Sequence, residues 1–167
     1  GVMGTFMGLA YRVAAVVLLV GIWFSCPDAV RSAGPPTIAV VGDSLADGMW
    51  SGLQRQASRS KSFVAYRGAK NSVGFTGSDL TDMVDRAFAH GGDVRAVMMM
   101  IGTNDRRSFF VDGRPKALFR TPTWLELYKG RVERFMDHVA KRKVPLVWVL
   151  LPVMRDAEAT RDAELIN

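Results

Sequence analysis

Cysteine occurs once, at Cys26, and histidine twice, at His90 and His138, in a chain of 167 residues. A single thiol excludes an internal disulfide and a cysteine-based zinc site. The two imidazoles stand far apart and form no metal-ligand spacing such as His-Glu-x-x-His, so no metal or organic cofactor is expected. No dense lysine–arginine run interleaved with aromatics is present, so no nucleic-acid partner is expected. Repeats and low-complexity segments are also absent. The apolar run near the N-terminus, Val13 to Phe24, has twelve residues, short of the roughly 20 that span a bilayer.

The remaining composition is that of a globular domain, 49% hydrophobic and 23% charged. The formal net charge is +6; Arg12, Arg31 and Asp28 fall within residues 1–33, leaving 20 basic and 15 acidic side chains and a net +5 beyond them. Arg12 followed by the twelve-residue run reads as an export signal. Cleavage after Ser32 or Ala33 and retention as a membrane anchor through residues 9–24 are both open. Either outcome predicts an exported protein of the periplasm or cell envelope, with a folded domain over residues 34–167.

After the linker "SAGPP", strand and helix patterns alternate. "TIAVVG" (37–42) is an apolar run suited to a strand buried on both faces. A helix is expected over Ala46–Gln56, a second strand over Phe63–Arg67, and a glycine-containing loop over 68–77. Ser78 is the expected cap of a helix whose apolar stripe is Leu80, Met83, Val84, Ala87 and Phe88, closed by "HGG". A third strand, Val94–Ile101, leads to a long loop. Thr123 and Glu126 have capping-box spacing before another helix, and Val144–Leu151 supplies a fourth strand. This alternation predicts an α/β fold with a parallel sheet between helical layers, whose chemistry gathers beyond the C-terminal strand ends.

Three polar loops fall on that rim. The first holds Gly42-Asp43-Ser44-Leu45, the second Asn71 and Gly74, the third Gly102, Asn104 and Asp105. Taken alone, Asp43-Ser44 could be a simple helix cap and "GTND" a turn. Together, "GDSL" after the first strand and "GTND" after the third resemble the SGNH (GDSL-type) serine hydrolases, over Thr37 to Asn167. "TPTWLELYKGRVERFMDHV" and "VPLVWVLLPVMR" are similar to an exported bacterial branch of that superfamily.

The resemblance implies a three-layer αβα sandwich with a flavodoxin-like sheet. It implies Ser44 as nucleophile, with Gly74 (rather than Gly68) and Asn104 as oxyanion donors and the Ser44 N–H as a further candidate donor. It implies an esterase or O-acyl hydrolase acting on acyl esters of carbohydrate or cell-envelope polymers, or an acyltransferase using the same groups. Arg106, Arg107 and Lys70 are read first as solvated loop residues.

One part of the family pattern is missing. A serine hydroxyl needs an adjacent base, and the family carries it in an Asp-x-x-His block that this sequence does not contain. His90 and His138 precede the third and fourth strands and so belong at the opposite rim, about 20 Å away for a strand of this length, whereas proton transfer needs about 3 Å. The expectation is a chain that stops before the family's last strand and helix, inactive or nearly so. Its alternative is a non-catalytic protein that binds an ester or an acylated glycan.

Overall fold

The computed structural model describes residues 34–167; the expected export segment, with Cys26, lies outside the described residues. Strand β1 (Thr37–Gly42) leads into α1 (Ser44–Ser60), β2 (Val64–Arg67), α2 (Thr81–Ala89) and β3 (Val94–Met100). A hairpin of β4 (Phe109–Val111) and β5 (Arg114–Ala117) precedes α3 (Pro122–Ala140), β6 (Leu146–Trp148) and α4 (Ala157–Ile166). The main sheet has the order β2-β1-β3-β6 and is parallel throughout. Setting the hairpin aside, this is the 2-1-3-4 order of a flavodoxin-like sheet, in a three-layer αβα sandwich.

The pleat of β1 explains the layers. Ala39 and Val41 point to one face and join Val97, Met99 and the α2–α3 side chains Met83, Val84, Phe135 and Val139 in the main core. Val40 points the other way, and α1 packs against β1 and β2 with Ala46 and Ala57 buried. Phe75, fully buried, stacks on Trp148 of β6 with ring centroids 5.9 Å apart and meets Tyr128 and Phe135 edge-on.

Several local expectations change. Helix α1 is longer than its apolar pattern suggests, because its capping residue is Asp43. Ser78 does not cap α2: that helix starts at Thr81 after Leu80, whose backbone is left-handed (φ 59°) and whose side chain is buried. Ser78 instead donates its N–H to the Gly74 carbonyl in a turn. The cap of α3 is Thr121, whose hydroxyl accepts from the Trp124 N–H at 3.3 Å, because Pro122 is suited to the first helical position. The long loop contains the β4–β5 hairpin, closed by Asp112 (φ 50°) and Gly113 (φ 74°), a pair that favours such two-residue turns. The second and fourth strands are shorter than expected, beginning at Val64 and spanning Leu146–Trp148.

Candidate active site

The β1–α1 junction is set by a close approach. At Gly42 (φ +132°) a side chain would collide with the Met100 carbonyl, so only glycine lets β1 leave the sheet here. Asp43 follows, fully buried, and performs the capping. One carboxylate oxygen accepts from the Leu45 N–H at 2.9 Å; the other accepts from the Gly102 N–H at 3.3 Å and the Thr103 hydroxyl at 2.7 Å. Ser44 is thereby released from capping. It is the first residue of a 17-residue helix, exposed, and its hydroxyl makes no hydrogen bond among the described residues. Its N–H belongs to the unpaired first turn, at the positive end of the helix dipole.

Two bonded links connect the three loops. Asp43 grips Thr103, and Asn104 beside it donates its carboxamide N–H to the Val73 carbonyl at 3.0 Å. An amide nitrogen has two hydrogens, so one donor of Asn104 remains. Gly74 follows Val73 and is buried; a Cβ there would run into the Asp105 carboxylate. That carboxylate accepts from the Thr76 N–H (2.8 Å), the Thr76 hydroxyl (2.9 Å) and the Tyr128 hydroxyl (3.2 Å). Ser44, Gly74 and Asn104 therefore lie on loops joined to one another on one rim of the sheet.

The electrostatics follow from burial. Burial pushes the Asp105 carboxyl above its ordinary range, opposed by the Thr76, Phe75 and Tyr128 hydrogen bonds. Burial, with the negative charge of Asp105, also pushes the Tyr128 phenol up. Asp162 on α4 is buried, which opposes its ionisation, but hydrogen bonds from Arg120 and Arg106 hold its carboxyl below the usual range. Arg106 is thus an anchor for α4 (2.8 Å to Asp162), and Arg107 donates to the Thr76 hydroxyl at 2.9 Å; neither is merely a solvated loop residue. Lys70 and Asn71 are exposed.

Both imidazoles sit elsewhere. His90 ends α2 and packs on the Tyr66 ring at 4.9 Å, two residues before Gly92, which lies against Thr37 at the start of β1. His138 Nε2 lies 2.6 Å from Asp85 on α2, so its acidic partner is Asp85 and not the adjacent Asp137. The His138 hydrogen bond, then that from Arg142, holds the Asp85 carboxyl below its usual range.

Sequence reasoning placed Asp43, Thr103 and Asp105 on this rim without giving them a role, and missed Thr76 and Tyr128. Asp43 and Asp105 lie inside the two motifs, but their partners are up to 60 residues away. The available signal was burial: an aspartate directly after an apolar strand must find donors.

The parallel 2-1-3-4 sheet, with Gly-Asp-Ser after its first strand and Gly-Thr-Asn-Asp after its third, is an SGNH-like hydrolase fold. The chain belongs to a family described as "Protein of unknown function (DUF459)", which matches residues 37–167. No curated protein matches. Among solved structures, the crystal structure of an acetyl xylan esterase, AlAXEase, superposes with a TM-score of 0.45 at 11% identity, covering 78% of this chain and 70% of that one.

Proposed function

We propose that this domain presents Ser44 as a nucleophile to acyl esters, with the N–H groups of Ser44 and Gly74 and the Asn104 carboxamide receiving the negative oxygen of the tetrahedral intermediate. The observation that carries the reading is the division of labour at the β1–α1 junction: Asp43 caps the helix and leaves the Ser44 hydroxyl exposed and unbonded. Attack by Ser44 Oγ on the ester carbonyl forms the intermediate; its collapse expels the alcohol and leaves an acyl-serine, which water cleaves to free acid and serine. A sugar hydroxyl in place of water gives transfer. Neutral, fixed donors suit this chemistry because they stabilise charge that appears only in the transition state. The substrates we assign are small acyl esters on carbohydrate or cell-envelope polymers, met outside the cytoplasm.

Residues 34–167 bring no imidazole to Ser44, so this reading gives them the nucleophile and the donors, not the base. That same observation favours a second reading, capture of an acylated glycan without turnover.

Chromogenic acetate hydrolysis with added imidazole separates the two. The expected outcome is little turnover alone, with imidazole accelerating the wild-type chain above a Ser44→Ala control. Asn104→Ala should lower that Ser44-dependent rate constant by about 10²–10³-fold, the usual cost of one oxyanion donor, with little change in KM. Equal imidazole rates in wild type and Ser44→Ala would remove the nucleophile assignment, and saturable glycan binding without turnover would favour capture.

A further inference from the structure

Between the β4–β5 hairpin and α3 lies a cleft of about 270 Å³ that the proposed ester chemistry does not use. The hairpin contributes Phe109, Phe110 and Lys116; α3 contributes Glu126, Arg131 and Arg134. Three cations thus face one carboxylate. None of the three is in an ion pair among the described residues, whereas Arg106, Arg120 and Arg142 all are.

Arg131 is the inner wall. Its guanidinium lies over the Phe109 ring at 5.1 Å and donates to the Phe75 carbonyl at 2.6 Å. Burial, then repulsion from Arg134, lowers its pKa from the ordinary arginine value, while the charges of Asp79 and Asp105 oppose that shift. Arginine stays charged nonetheless, so this is a cation short of counter-charge. A guanidinium carries five N–H donors in a planar fork that matches a carboxylate. Phe110, 58% exposed, adds an apolar surface at the mouth.

We propose that this cleft binds the carboxylate of an acidic sugar, the sugar ring lying on the phenylalanine surface, and that the carrier of the ester is accordingly an anionic polysaccharide. The carrier assignment rests on the ester reading above; the binding does not. Arg131 connects the two places, because Phe75, whose carbonyl it holds, follows Gly74.

The test is calorimetric titration of the full chain with a galacturonate trimer, using maltotriose as the neutral counterpart and inorganic phosphate as the bare anion. The trimer of uronates is expected to bind, more weakly as salt rises from about 0.05 to 0.5 M, and maltotriose to bind at least about tenfold more weakly. The double variant Lys116→Gln/Arg134→Gln should lose about tenfold or more in affinity, the order expected for losing charge-assisted contacts; both residues are on the surface, and an unchanged melting temperature would show that folding is intact. Phe110→Ala should weaken the uronate trimer and leave phosphate unaffected. Ser44→Ala should bind as wild type, so failure of the nucleophile assignment would leave this result standing. No binding of the uronate trimer, equal binding of both trimers, phosphate as tight as the uronate, or undiminished affinity in the double variant would each overturn the proposal.

Discussion

Asp43 and Ser44 are neighbours with opposite environments: one fully buried with three hydrogen-bond donors around it, the other exposed. Either could have capped the helix, and the choice was settled by Gly102 and Thr103, about sixty residues away. This is why the placement of Ser44 and Asn104 on one rim was readable from short motifs while the contacts that hold their loops were not. Asp105 shows the same limit: its donors come from Thr76 and Tyr128. Because its folded pKa is raised above the ordinary 3.8, its contribution to stability is fully present below about that value and is lost as pH rises through the raised one. Asp105→Asn keeps an acceptor for Thr76 but has no proton to lose. Thermal melts across a pH series should therefore show the variant gaining on wild type as pH rises from the acid side; parallel curves would contradict this.

At the scale of elements, strand and helix order was readable because apolar runs and apolar stripes differ in period. Boundaries were not, because each was decided by one cap or turn. Thr121 captures α3 two residues ahead of the expected start, and Thr121→Ala should cost about 0.5–2 kcal/mol, measurable by denaturant unfolding. An equivalent loss in Thr123→Ala would instead support the capping box read from the sequence. The hairpin was legible in principle: Asp112-Gly113 separates Phe-Phe-Val from Arg-Pro-Lys-Ala, and both turn residues have positive φ. Its strands, of three and four residues, are too short for the alternation that marks longer ones.

Taken as a whole, residues 34–167 keep the motif residues at the C-terminal rim of the sheet and His90 beside the start of β1. The two ends are bridged by packing, and Phe75 is central to it, touching Tyr128, Phe135 and Trp148. Phe75→Ala should cost about 3–5 kcal/mol and loosen the adjacent Gly74; a destabilisation under about 1 kcal/mol in equilibrium unfolding would show that the loop is held by Asp105 alone. The polypeptide enters this domain at Pro35 and Pro36, next to His90 and Val64. Pro35 and Pro36 therefore lie at the rim of the sheet opposite Ser44, so substitutions there leave the loops that carry the serine untouched.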